Sequence, residues 1–144
     1  MGGIARRVRW IRENVEDRSR VLLLDAGDFL FADRITPSED LLNRARLILD
    51  AYKEMGYTGV AIGERDLSGS IPFLVEEFEK RGLIGLSANI LFKGQAPFKP
   101  YVIREISGQK VAIAALTSPR TGDGSGVQGD LQMLDPLEKM EALL

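Results

Sequence analysis

Apolar residues recur along this chain with two distinct periods. Ile4, Ala5, Val8, Ile11 and Val15 fall at helical spacing with Arg and Glu between them, which predicts an amphipathic helix over 4–16. Val21-Leu22-Leu23-Leu24 is instead a continuous apolar run, as in a strand buried on both faces of a parallel sheet, and it stops abruptly at Asp25-Ala26-Gly27-Asp28. Thr36-Pro37-Ser38-Glu39 predicts the start of a second helix, with Thr36 as the cap, Pro37 in the first turn and Glu39 completing a capping box. Leu41, Leu42, Ala45, Ile48, Leu49 and Tyr52 supply its buried stripe, and Gly56 ends it. Val60-Ala61-Ile62 reads as a second strand that runs into Gly63-Glu64-Arg65-Asp66. Phe73, Leu74, Phe78 and the closing Gly82 mark a third helix, and residues 83–87 a third strand that leads to Ala88-Asn89.

This alternation predicts an α/β fold in which crossover helices join parallel strands. The period then changes. Residues 101–106 and 110–116, joined by Ser107-Gly108-Gln109, read as a β-hairpin. Residues 117–134 are rich in Gly, Ser, Asp and Thr and read as one long loop. Asp135-Pro136-Leu137-Glu138 opens a last helix that reaches Leu144 without a C-terminal signal. The expectation is a single, incomplete domain over 1–144, part of a layered α/β sandwich. Half a sheet with open edges invites pairing, so a homo-oligomer or a partner chain is expected to cover them.

Composition narrows the function classes. The 144 residues are 44% hydrophobic and 28% charged, with a formal net charge of -2, which suits one globular domain. That charge gives no reason to expect a nucleic-acid or anionic-membrane partner. The apolar runs are of strand length, so no membrane span is expected. Arg6, Arg7, Arg9 and Arg12 lack a following apolar stretch, so no signal peptide is read, and they fit the solvated face of the first helix. The chain has no Cys, which excludes disulfides and thiolate metal sites. It also has no His, which removes the commonest transition-metal ligand and the commonest acid–base group near neutral pH.

In open α/β sheets, ligands bind outside the carboxyl ends of the strands. That edge carries Asp25 and Asp28 after the first strand, Glu64 and Asp66 after the second, and Asn89 after the third. Gly27 and Gly63 stand beside the acids, where the backbone turns sharply or approaches a ligand. Gathered carboxylates repel unless a cation lies between them, and hard oxygen ligands suit Mg²⁺, Mn²⁺ or Ca²⁺. The plainer reading is that each acid caps the following helix or faces solvent.

Several segments resemble, in order, the 5′-nucleotidase branch of the calcineurin-like metallophosphoesterases. Gly2-Gly3-Ile4-Ala5-Arg6-Arg7 is similar to the Gly-Gly-Leu-Ala-Arg opening of that family's first long helix. Leu23-Leu24-Asp25-Ala26-Gly27-Asp28-Phe29 resembles its Leu-Asp-Ala-Gly-Asp strand end, whose final Asp bridges two metal ions; the resemblance makes Asp28 that ligand. The stretch from Met55 to Gly63 is similar to the lead-in to the family's Gly-Asn-His-Glu motif. Leu86-Ser87-Ala88-Asn89-Ile90, Phe98-Lys99-Pro100-Tyr101 and Leu116-Thr117-Ser118-Pro119 also have counterparts, so the resemblance runs through nearly the whole chain.

One departure bears on chemistry. Glu64-Arg65-Asp66 stands where the family has Asn-His-Glu. Glu64 is then a second metal ligand, bringing extra negative charge. Arg65 is the candidate catalytic residue, able to clamp a phosphate but a poor proton donor. The Asp-x-His motif expected ahead of Gly2 and the His motifs expected after Leu144 lie outside these residues. Three functions are open on this reading. One is a segment of a two-metal hydrolase of nucleotide phosphomonoesters, using Mn, Mg, Zn or Ca. Another is a binding or structural module that keeps the fold without catalysis and needs no cofactor. The third is a metal-independent phosphate binder built on Arg65 and helix N-termini. The resemblance also implies a periplasmic or extracellular location.

Overall fold

A computed structural model of the chain describes residues 3–33, 36–118 and 127–143. Its centre is a parallel sheet in the order β1 (Leu24–Asp25), β2 (Gly59–Ala61), β3 (Gly85–Leu86). Leu24 lies opposite Gly59, and Val60 opposite Gly85. Helix α1 (Ile4–Asn14) precedes the sheet, α2 (Glu39–Met55) links β1 to β2, and α3 (Ile71–Arg81) links β2 to β3. This is the predicted α/β alternation.

The strands are shorter than the apolar runs. Leu23 is held beside β2 by the Thr58 N–H, which donates to its carbonyl at 2.8 Å. The Leu23 N–H in turn donates to the Thr58 hydroxyl at 3.2 Å, so a side chain ends the ladder where a strand residue would continue it. Leu23 packs on the main core and Leu22 on a smaller cluster around Leu86, Val102 and Ile113, so the run does face both ways. The expected full burial does not hold for Leu24, which is 48% exposed at the sheet edge.

Apolar stripes decide how the helices seat. Ala45, Leu49, Tyr52 and Met55 of α2 and Leu74 and Phe78 of α3 are buried against Val60 and Ile62. The predicted Thr36 cap is corrected: Ser38 caps α2, its hydroxyl accepting from the Leu41 N–H at 3.4 Å. Beginning there places Glu39 and Asp40 in the first turn, against the positive end of the helix dipole. Gly56 and Gly82 end α2 and α3 in the left-handed region, as their sequence positions predict. In α1, Arg9 pairs with Glu13 and Arg12 with Glu54, in accord with a solvated face, whereas Arg7 departs from it and donates to the hydroxyls of Tyr52 at 3.0 Å and Tyr57 at 3.2 Å.

A charge network locks α2 to α3. The Glu77 side chain is almost wholly buried and meets Arg81, Arg46 and Lys80, while Arg81 also reaches Asp50 at 2.7 Å. Burial alone would raise the Glu77 carboxyl, but these cations outweigh it and hold it below the ordinary glutamate range. The folded chain therefore releases this proton more readily than the unfolded chain. The resulting stabilisation is complete above the ordinary glutamate value of about 4.3 and is lost as pH falls through the depressed folded value. Urea unfolding across acidic pH is expected to show this loss in the wild type and to lack it in Glu77→Gln.

The second half contains the predicted hairpin, β5 (Tyr101–Ile106) and β6 (Gln109–Ala114), with Val102 and Ile113 turned inward. The single loop expected over 117–134 is corrected in part. β4 (Ile90–Phe92), β7 (Val127–Gln128) and β8 (Leu131–Met133) form an antiparallel sheet in the order β4-β8-β7. Residues 119–126 of that stretch lie outside the described residues. α4 (Pro136–Leu143) is capped as predicted, with Asp135 Oδ1 accepting from the N–H groups of Leu137 and Glu138. No helix among the described residues is long and apolar enough to cross a membrane.

Candidate functional site at the carboxyl edge of the parallel sheet

The residues singled out in the sequence do meet at the carboxyl ends of β1, β2 and β3, but their side chains serve different ends. Asp25 turns towards the helices. Its Oδ2 accepts from the Tyr52 hydroxyl at 2.7 Å and faces Arg7 at 3.5 Å, while Oδ1 accepts from the Gly27 N–H at 3.0 Å. Burial, followed by the Asp25 carboxylate, raises the Tyr52 hydroxyl above its ordinary value and keeps it a donor. Asp25 thus anchors the start of the loop to α2.

Asn89 is fully buried and saturated. Its amide nitrogen donates to the carbonyls of Thr117 at 2.8 Å and Leu134 at 3.1 Å, and its oxygen accepts from the Thr117 N–H at 2.8 Å. The Thr117 hydroxyl donates to the Ile62 carbonyl at 2.7 Å, with Ser87 Oγ 3.0 Å away. Both amide protons of Asn89 are spent, and its oxygen is already an acceptor. It ties the end of β3 to the segments after β6 and β8, the Thr117 hydroxyl adds the end of β2, and the amide offers nothing to a ligand.

Asp66 is also fully buried. Its Oδ2 accepts from the N–H groups of Asp28 at 2.8 Å and Gly63 at 3.0 Å, and Oδ1 from those of Phe29 at 3.1 Å and Leu30 at 3.0 Å. Burial pushes this carboxyl above its ordinary value, the amides of Leu30, Gly63 and Asp28 pull it back, and the Asp28 charge adds to the rise. Sequence reading places Asp66 among the edge acids. Its actual partners are main-chain amides some 36 to 38 positions earlier, together with Gly63.

Asp28 and Arg65 are the pair that faces outward. Asp28 sits at φ +60°, in the left-handed region, directly after Gly27 at φ +93°. Its Oδ1 accepts from the Arg65 N–H at 2.8 Å and its Oδ2 lies 3.4 Å from Arg65 Nε. Arg65 Nη1 also donates to the Ala32 carbonyl at 3.5 Å. The two side chains are 37% and 49% exposed, so solvent screens the pair and it contributes at most about 1 kcal/mol. Glu64 lies half-buried in the same turn.

These donors do not by themselves fit a metal centre. A hard divalent cation needs several oxygen ligands at once, yet both Asp28 oxygens already face Arg65, and Asp66 and Asn89 are saturated from within. Among the described residues no three His, Cys, Asp or Glu side chains come together in a way that could hold a metal. What the edge presents to solvent is the Asp28 carboxylate with the Arg65 side chain beside it.

No protein-family model matches the chain. Individual relatives do. The chain is 31% identical over 147 aligned residues to a snake venom 5′-nucleotidase of Gloydius brevicauda, a match covering 97% of this chain and 24% of that protein. Its fold superposes on a 5′-nucleotidase precursor from Thermus thermophilus with a TM-score of 0.73 at 24% identity, covering 99% of this chain and 28% of that one. It also superposes on the calcineurin-like phosphoesterase YfkN of Bacillus subtilis, with a TM-score of 0.67 at 21% identity over 98% of this chain and 50% of that one. The chain therefore spans about a quarter of the length of the 5′-nucleotidases it matches. In sequence and in fold the chain is thus a partial match to the 5′-nucleotidase type of the calcineurin-like phosphoesterases.

Proposed function

We propose that the chain is the strand-edge framework of a divergent 5′-nucleotidase-type phosphoesterase and that its own residues bind no catalytic metal. The observation that carries this reading is the Arg65 guanidinium and N–H on the Asp28 carboxylate. Resemblance would give that carboxylate to a bridging metal ion, and here a side-chain cation of the same chain lies beside it. Arg65 is then a charge partner for Asp28, because an incoming phosphate would have to compete with that carboxylate for the guanidinium. For the whole protein, hydrolysis of nucleotide phosphomonoesters at a two-metal centre would require ligands beyond Asp28 and Glu64. An extracytoplasmic location and a nucleotide substrate belong to the same proposal.

The test is release of inorganic phosphate from a nucleoside monophosphate by the 144-residue chain, with Mn²⁺ supplied. The wild type and Asp28→Ala are expected to release it equally slowly, since loss of even one preorganised group costs about 100- to 1000-fold. Turnover by the wild type that Asp28→Ala abolishes would overturn the reading.

A further inference from the structure

We infer that Asp66 is the positioning residue of the sheet edge: its enclosed carboxylate gathers main-chain amides from the loops after β1 and β2 and so sets the Asp28 side chain against Arg65. Three features of the geometry lead there. First, one carboxylate with no exposed surface accepts from Asp28, Phe29, Leu30 and Gly63, which belong to two loops far apart in sequence. Second, the two loops touch main chain to main chain. A Cβ added to Gly27 would meet the Gly63 nitrogen at 2.5 Å, and one added to Gly63 would collide with Asp28. Third, Asp28 holds a left-handed backbone, uncommon outside glycine though better tolerated by Asp than by most residues, so a contact that fixes its N–H helps select that conformation. The Asp66 bond to the Asp28 N–H is the contact that acts on that backbone directly.

The inference goes beyond the proposed function, since it holds whether or not the edge takes part in phosphoester chemistry. It also separates Asp66 from the outward pair. Asp28 and Arg65 face solvent, whereas the Asp66 carboxylate takes its hydrogen bonds from main-chain amides and acts through them.

Amide hydrogen exchange of the metal-free, isotopically labelled chain tests this. The N–H of Arg65 is the informative probe, because it donates to the Asp28 side chain and not to Asp66. In Asp66→Asn, exchange at Asp28, Phe29, Leu30, Gly63 and also Arg65 is expected to rise about 10- to 100-fold, as fits the loss of bonds to a buried charge. Val102 and Ile113 in the hairpin should stay unchanged. An Arg65 rate equal to that of the wild type, or an equal rise in the hairpin, would overturn the assignment. Exchange in the wild type at low denaturant keeps the test open should the variant not fold. The five amides should then open together as one unit, and independent opening of Arg65 would refute the inference.

Discussion

Asn89→Ala is expected to lower the unfolding free energy by at least about 3 kcal/mol, more than any single change to the outward-facing pair. The substitution strands the Thr117 N–H and the carbonyls of Thr117 and Leu134 inside the protein. Each such group costs about 1–3 kcal/mol when left without a partner. Ser87 and the Thr117 hydroxyl are close enough to feel the change but cannot replace it. Thr117 already gives its proton to Ile62, and Ser87 has one proton to offer. Thermal unfolding would show the effect as a fall in Tm of roughly 10 °C or more. Asn89→Asp is a useful companion: it keeps an acceptor for the Thr117 N–H but turns oxygen lone pairs on two carbonyls, so it should also destabilise. A small loss in either variant would mean that the three chain segments are held together by something other than this side chain.

Gly27→Ala comes next, with an expected cost of about 2–5 kcal/mol, the sum of two penalties. Gly27 lies at φ +93°, where an L side chain strains the backbone by about 1–2 kcal/mol. Its Cβ would also sit 2.5 Å from the Gly63 nitrogen and 2.9 Å from the Ala61 carbonyl oxygen. Main-chain atoms cannot swing aside as the end of a flexible side chain does, and overpacking of this kind costs about 1–3 kcal/mol. Denaturant unfolding checks the size. Gly3→Ala is a control, since a Cβ there meets nothing within 4 Å, and its midpoint should stay near that of the wild type.

Much of the architecture is legible in the residues because local signals and tertiary demands agree. The stripe from Leu41 to Tyr52, the glycines at 56 and 82 and the Ser107-Gly108 turn each point to the element that forms. Disagreement arises where local chemistry is degenerate. Thr36 and Ser38 are both competent caps, and only the placement of two acids in the first turn separates them. The β7–β8 hairpin is readable in principle, since Gly129-Asp130 is a hairpin dipeptide and Gly129 adopts φ +60°. It is obscured because its short strands sit in a stretch dense with glycine and polar side chains.

The site is legible in its location and much less so in its roles. Parallel strands bring their carboxyl ends to one edge, so the positions of Asp25, Asp28, Glu64, Arg65, Asp66 and Asn89 follow from the topology. Which acid faces outward does not. Asp66 and Asn89 take main-chain partners that carry no side-chain signature, and distant main-chain hydrogen bonds leave no periodicity to read. Even the pairing of Arg65 with Asp28 joins residues 37 positions apart.

The most direct measurement of the Asp28–Arg65 arrangement is paramagnetic broadening by Mn²⁺ in amide spectra of the wild type and of Arg65→Ala. With Arg65 beside Asp28 and too few further oxygen ligands at hand, the wild type should show at most weak broadening centred on residues 28 and 64–66, and removing the guanidinium should raise the sensitivity of that region by no more than about five-fold. Localised broadening there in the wild type at low Mn²⁺, lost in Asp28→Ala, would contradict the account and restore Asp28 as a metal ligand.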